Sequence, residues 1–425
     1  MRLLYSLAIS SYAIAVRLAS PFNTKASLLR DGWCRWKDKI PIDKLAKERV
    51  AWFHVASLGE FEQARPVMES FRKLHPDYKI CLSFFSPSGY EVRKDYNGAD
   101  VVMYLPPDTR HNAKALVETI HPDIAFFVKY EFWFNYLHEL QSRNVPTYIF
   151  SAIFRKNQYF FRWYGRWFSR QLQCYKHMFV QNEESMDLLK SIGITHCSIA
   201  GDTRFDRVND IAAQAKRFPE IERFIANGGD YVNGTTKTLM VGSSWEPDEA
   251  NIEHFITNYT SPIKIIVAPH MIDERHLKKI ESLFGHNNCV RYSRLKTENE
   301  ASEYYRCKIL IIDNIGMLSS LYRYATVSYI GGGFGKGIHN ILEAAVFNCP
   351  VCFGPNHKKF DEAVKLLQQG GAQTYDTPDQ LAKILTEWFD NKELYNKAST
   401  SCRDFMQQNL GATATIINKV ESDHE

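Results

Sequence analysis

The sequence carries little that would mark a specialised class. Its net charge is only +4 over 425 residues, too mild to indicate nucleic acid by itself. No low-complexity tract and no repeat at a solenoid period is present, which excludes a linker-like or array architecture. Cysteine is sparse and odd in number: nine residues, scattered, most in apolar stretches like that around Cys81. That pattern excludes a disulfide framework and fits reduced thiols in a cytosolic compartment. The one C-x-x-C, Cys349 to Cys352, has no second pair and no close Cys/His neighbours. Its Val351-Cys352-Phe353 portion reads as a buried strand rather than half of a redox or zinc site.

What is present is ordinary globular material, 45% hydrophobic and 24% charged, with a heavy 13% of aromatic residues. At the usual domain size the length predicts two domains. The positive charge is concentrated at the start: residues 1–50 hold ten Lys/Arg against four Asp/Glu. Within them, residues 3–22 form an apolar, aromatic-punctuated run interrupted by Arg17. It is marginal for spanning a bilayer, which takes about 20 apolar residues. No small-residue cleavage site with a disulfide-rich body follows, so a signal peptide is disfavoured. Lys25, Arg30, Arg35, Lys37 and Lys39 follow it, which fits a helix lying in or dipping into the membrane on its cytoplasmic face. A plain core helix is the competing reading.

From residue 50 short β-rich runs alternate with helical ones: Val50–Val55, Lys79–Phe85, Val101–Leu105, Ile124–Val128, Thr147–Phe150 and Met178–Gln181. The rhythm restarts at Thr238–Gly242 and runs through Ile263–Ala268, Lys308–Ile312, Thr326–Ile330 and Val351–Phe353. Strands separated by helices imply βαβ units and parallel sheets. Between the series, Arg207–Thr236 is polar, with a break at Gly228-Gly229-Asp230 and no sheet strand. The expected organisation is a membrane-associating segment (1–22), one Rossmann-like domain (23–210) and a second (211–425), the last including a helical tail from Pro378 to Val420. Doubly wound halves place a ligand near the carboxyl ends of the strands, in a cleft.

Several motifs fall at such ends. Ser57 and Glu60 have the spacing of a capping box, and equally present a carboxylate at a helix start where a base is needed. The helix after them repeats Phe61, Ala64, Val67, Met68 and Phe71 at core spacing. Lys129 and Glu131 close an apolar strand. Two apart, they share a face of an extended strand, so an ion pair between them is one reading and function the other. Residues 154–170 hold five basic and eight aromatic residues with no acid. Such a mixture serves single-stranded nucleic acid or a bilayer surface, and the neighbouring apolar segment favours the bilayer. Gly242-Ser243-Ser244 is a small-residue turn before a helix with Pro247 in its first turn. Five glycines within residues 331–337 precede His339, Asn340 and Glu343 and form a nest for an anion. Neither the P-loop nor the dinucleotide spacing fits.

Taken in order, Ser57-Leu58-Gly59-Glu60, Glu131-Phe132-Trp133, residues 201–206, Gly242–Trp245 and Gly331–Glu343 resemble the Kdo (3-deoxy-D-manno-octulosonic acid) transferases of lipopolysaccharide synthesis. The resemblance spans nearly the whole chain. It implies an α/β protein of the GT-B glycosyltransferase fold, two Rossmann-like domains facing a cleft, plus the N-terminal membrane-associating helix. The implied reaction moves Kdo from CMP-Kdo to a lipid A precursor, lipid IVA, with inversion, with no metal or other cofactor and no nucleic-acid partner, at the cytoplasmic face of the bacterial inner membrane. A soluble GT-B sugar-nucleotide transferase or epimerase is the alternative. Glu60 matches the family's base, and Glu131 is retained. Lys129 stands where the family often has an acid, and Arg204 where it usually has Lys; both are candidates for holding the donor carboxylate or the leaving phosphate. The implied CMP-Kdo contacts are Ser243, Ser244, Pro269, His270, Ile315, Gly316, Met317, Asn340, Ile341, Leu342 and Glu343. Two of these segments depart from the family: Pro-Arg-His becomes Pro269-His270-Met271, and Met-Gly-Glu becomes Ile315-Gly316-Met317. The phosphate contact then falls to Arg275 or Lys336.

Overall fold

The computed structural model describes residues 1–41, 45, 47–227, 236–297 and 302–423; Gly228-Gly229-Asp230 lie outside them. The chain forms two compact units, one of residues 1–207 with 410–425, the other of residues 208–409.

The first unit is built on seven parallel strands: β1 (Arg49–Val55), β2 (Tyr78–Phe84), β3 (Val101–Tyr104), β4 (Ile124–Val128), β5 (Thr147–Ala152), β6 (His177–Val180) and β7 (Cys197–Ile199). They lie in the order β3-β2-β1-β4-β5-β6-β7. Helices cover both faces, so the central strands are apolar on both sides; all of Ile124–Val128 is buried. Helix Leu58–Leu74 buries Phe61, Ala64, Val67, Met68 and Phe71, the set its spacing predicts.

The second unit repeats the plan with β8 (Thr238–Ser244), β9 (Lys264–Pro269), β10 (Cys289–Arg291), β11 (Ile309–Ile311), β12 (Val327–Ile330), β13 (Val351–Phe353) and β14 (Ala372–Thr374). Their order is β10-β11-β9-β8-β12-β13-β14. In each sheet the chain crosses from one side to the other beside its first strand, between β1 and β4 and between β8 and β12, and ligands of such sheets bind outside the strand ends at that point. The turns after these four strands hold Ser57–Glu60, Lys129–Glu131, Trp245 and the glycine run. Three non-glycine residues with left-handed backbone, Lys129 (φ 62°), Ser151 (φ 49°) and Ser243 (φ 54°), also sit at the carboxyl ends of β4, β5 and β8. Such conformations cost on the order of 1 kcal/mol each and gather at functional sites.

Two expectations need correction. The tail is three helices, Pro378–Asp390, Lys392–Asn409 and Ala412–Ser422, and the last belongs to the first unit. Its Ile416, Ile417 and Val420 join the core that holds Phe53 and Phe126. Asp206 accepts from the N–H groups of Gly411 and Thr413, at 2.7 and 2.6 Å, at that helix's start. An apolar face is visible in a sequence, but the surface it covers is not. The edge strands β7, β10 and β14 were also unforeseen. Each is three residues long, too short to show a period.

Helix Arg2–Ala19 is long and apolar enough to cross a membrane by length and composition. It buries only Ala13 and Val16, while Leu3, Leu4, Leu7 and Leu18 are each more than 60% exposed. One end is tied to the first unit. The Tyr5 hydroxyl donates to buried Asp108 at 2.6 Å, and its ring meets Phe134 at 4.9 Å and Trp167 at 6.2 Å. The helix therefore adjoins the aromatic-basic segment, in which Trp163 is 92% exposed. Phe154 and Phe160 of that segment are buried in the core instead.

Candidate functional site

In the first unit, β1 delivers the chain to Ser57, and helix Leu58–Leu74 carries Glu60 in its first turn. Glu60 Oε2 accepts from the N–H groups of Ala56 (2.8 Å) and Ser57 (3.0 Å). The capping role is real, yet it occupies one oxygen; Oε1 has no hydrogen-bond partner among the described residues. Burial, then the charge of Glu131, pushes the Glu60 carboxyl up to about 7, against the opposing pull of those N–H groups and Lys129. A carboxylate poised there suits a general base at neutral pH.

Glu131 is held by a buried chain of polar groups. Trp52 Nε1–H donates to Ser83 Oγ (2.8 Å), which is 2.8 Å from His54 Nδ1. On the other side of the ring, His54 Nε2 is 2.9 Å from Glu131 Oε2, which also accepts from Trp133 Nε1 at 2.6 Å. Nδ1 also lies 3.1 Å from the Ser83 carbonyl oxygen, and the Trp133 indole N–H is 2.9 Å from Nε2, so both ring nitrogens are engaged. His54 is fully buried, and its place in the motif was plain in the sequence, but pairing across the sheet with a residue 77 positions later was not. The expected shared face of Lys129 and Glu131 is corrected here. The strand ends at Val128, and the left-handed turn at Lys129 breaks the two-residue alternation. Glu131 pairs with His54 instead, while Lys129 lies over the Tyr130 ring and acts on Glu60.

Arg204, the expected cation near the reacting centre, is paired within its own segment of chain. Its guanidinium grips buried Asp202 with Nε at 3.0 Å and a terminal nitrogen at 2.8 Å. Although Asp202 is deeply buried, Arg204 and Gln63 hold its carboxyl below the usual range. The charges acting most on Glu60 are those of Glu131 and Lys129.

In the second unit a cavity of about 530 Å³ is lined by Trp245, Pro247, Asp248, Phe334, Lys336 and His339, with the glycine turn between. Asp248 organises it: its carboxylate accepts from the N–H groups of Trp245 and Gly332, both at 2.9 Å, and from Tyr329 at 2.6 Å. Burial raises its pKa. Trp245, His270 and His339 form a stack, with ring centroids 4.5 and 4.7 Å apart. Burial, and then His270, lowers the pKa of His339. An aromatic wall beside backbone N–H groups and a lysine can hold a base and a phosphate.

Of the expected donor contacts, His270 stands in this stack. Ser244 is buried and donates to Glu249 at 2.9 Å, Pro269 ends β9, and Ser243 occupies the left-handed turn. Ile341 and Leu342 are buried. Asn340 donates to Glu343 at 3.1 Å and accepts from the Leu342 N–H. Glu343 lies in the first turn of the short helix Leu342–Ala345. Ile315 and Gly316 lie in the loop after β11, with Ile315 86% exposed, while Met317 is buried; none of the three lines the cavity. Arg275 does not line it either, whereas Lys336 does. Trp245, Asp248 and His339 were absent from the expected contacts. Trp245 and His339 did fall within the sequence motifs, whereas Asp248 carried no signal beyond its place in a helix start. Among the described residues no three His, Cys, Asp or Glu side chains gather as a metal set.

Known proteins share this fold. Structures of similar fold include UDP-GlcNAc 2-epimerase from Neisseria meningitidis (TM-score 0.59, 14% identity, 88% of this chain and 100% of that one). Another is MurG of Acinetobacter baumannii (0.55, 12%, 88% and 99%). Residues 34–207 match the family model described as 3-deoxy-D-manno-octulosonic-acid transferase (kdotransferase). The chain is similar to the 3-deoxy-D-manno-octulosonic acid transferases of Rickettsia felis (23% identical over 376 residues, 85% of this chain and 76% of that one) and Chlamydia trachomatis (21% over 396, 88% and 86%). Two parallel seven-stranded units of this kind have the GT-B fold, and the family match and the relatives support a glycosyltransferase. Within that class, its match to the family model over residues 34–207 and its relatives over four-fifths of its length make it similar to the Kdo transferases.

Proposed function

We propose that the protein transfers Kdo from CMP-Kdo to a lipid A precursor such as lipid IVA, with inversion at the anomeric carbon and without a metal ion. The observation that carries the reading is Glu60: a largely buried carboxylate at a strand switch point, with one oxygen anchored, the other unengaged, and a pKa pushed up to about 7. Glu60 takes the proton from an acceptor hydroxyl as that oxygen bonds to the Kdo anomeric carbon, and the bond to CMP breaks with its electron pair. CMP is a good leaving group, so a base and charge stabilisation suffice. Lys129 supplies positive charge beside the base, and Glu131, held by His54, keeps Glu60 basic. The donor nucleotide sits on the second unit, its base against the Trp245 stack and its phosphate at the glycine turn with Lys336.

The acceptor's acyl chains call for a membrane-borne enzyme. The exposed leucines of helix Arg2–Ala19 and the ring-and-cation segment 154–170 support docking at the cytoplasmic face of the bacterial inner membrane. Mass spectrometry of the product formed from CMP-Kdo and a tetra-acylated lipid A precursor tests the reading. A mass gain of one or more Kdo residues, lost in Glu60→Gln, is expected. Turnover of a water-soluble sugar nucleotide with no lipid product would replace it by the epimerase or soluble-transferase reading.

A further inference from the structure

A second cavity of the second unit, about 870 Å³, adjoins the first at Gly335 and Lys336. Its walls come from the turns after β12, β13 and β14, and its charge is lopsided. Lys336, Lys358 and Lys359 line it against one carboxylate, Asp376. None of the three lysines forms an ion pair among the described residues, whereas Arg291 of the same unit is paired with Glu274 and Glu281. His357, on the same wall, has a buried Nδ1 without a hydrogen-bond partner. The floor is rigid: Asn356 donates from its backbone to Gly333 (3.0 Å) and from its side chain to Gly335 (2.9 Å). A side chain at Gly333 would strike the Gly354 backbone at 2.6 Å. Unneutralised cations converging on a fixed, roomy cavity are a standing site for an anion. Thr374 and Asp376, which line the same cavity, offer the hydroxyl and carboxylate partners that sugar hydroxyls require.

The geometry points to a subsite for an anionic sugar, with its carboxylate or phosphate on Lys358 and Lys359 and its hydroxyls on Thr374 and Asp376. It rests on the proposed function in one respect: a sugar-acid donor whose nucleotide fills the first cavity would place its sugar here. Lys336, shared by both cavities, bridges the two portions.

The test is calorimetric titration of the full-length protein and of Lys358→Ala/Lys359→Ala with four probes: CMP-Kdo, free Kdo, CMP and inorganic phosphate. Both lysines are exposed, so the fold tolerates their loss; Lys358→Gln/Lys359→Gln repeats the test with longer side chains. Losing a charge-assisted hydrogen bond weakens binding by about tenfold or more. Weakening of CMP-Kdo and free Kdo with CMP unchanged identifies the carboxylate as the anion. Weakening confined to the phosphate-bearing probes identifies a phosphate. Unchanged affinity for all four overturns the subsite. If the wild type ignores CMP-Kdo yet binds phosphate through these lysines, the donor assignment fails and the anion site stands.

Discussion

Replacing Glu60 by glutamine should make the protein more stable and nearly inactive, and the two effects share one cause. Glu60 carries a pKa of about 7 against an ordinary 4.5, a difference of roughly 3 kcal/mol between its charged and neutral forms. The sign follows from proton counting. Between pH 4.5 and 7 the unfolded chain has released this proton while the native chain retains it. Native stability therefore falls as pH rises through that window and stays lower above it. Glutamine never ionises, and its side-chain oxygen can still accept from the Ala56 and Ser57 N–H groups. Relative to wild type, Glu60→Gln should be nearly neutral at pH 4.5 and more stable by up to about 3 kcal/mol at pH 8. Urea unfolding followed by tryptophan fluorescence at pH 4.5, 6 and 8 measures this. Kdo transfer by the same protein should drop by about 10²–10⁴-fold, the usual loss for a positioned base. A variant destabilised equally at all three pH values would mean that Glu60 is only a helix cap. Wild-type turnover would refute its role as base.

Three further outcomes are expected. Glu131→Gln removes the charge that helps raise Glu60, so the acidic limb of the rate–pH profile should move to lower pH; a limb that stays in place separates the two carboxylates. His54→Phe keeps ring volume between Trp52 and Phe127 but strips Glu131 of a partner, and should cost about 1.5–3 kcal/mol in urea unfolding. Leu4→Glu with Leu7→Glu alters exposed positions of helix Arg2–Ala19. Flotation with anionic vesicles should fall sharply while the melting temperature holds, whereas undiminished flotation would assign membrane contact elsewhere.

The strand–helix rhythm was legible because parallel strands buried on both faces are written as continuous apolar runs, and helix Leu58–Leu74 displays its core face at helical spacing. The three-residue edge strands escaped because pairing in the sheet, not local pattern, makes them strands. Ser57–Glu60 and the glycine run announced themselves, since a turn between strand and helix needs small or capping residues in consecutive positions. Trp245 and His339 stood in motifs, but their stack through His270 was not legible, because it joins turns that follow three different strands.

What the sequence by itself determined was the two-fold α/β plan, the turns that carry chemistry and the kinship those turns express in order. All are local: each depends on residues within a few positions of one another. Only the tertiary structure decided which charges meet. It joined His54 to Glu131, fixed Arg204 on Asp202, turned Lys129 out of the strand and returned helix Ala412–Ser422 to the first unit. Electrostatic and packing energies depend on distance in space, and a parallel sheet brings together residues that the chain separates by a whole βαβ crossover.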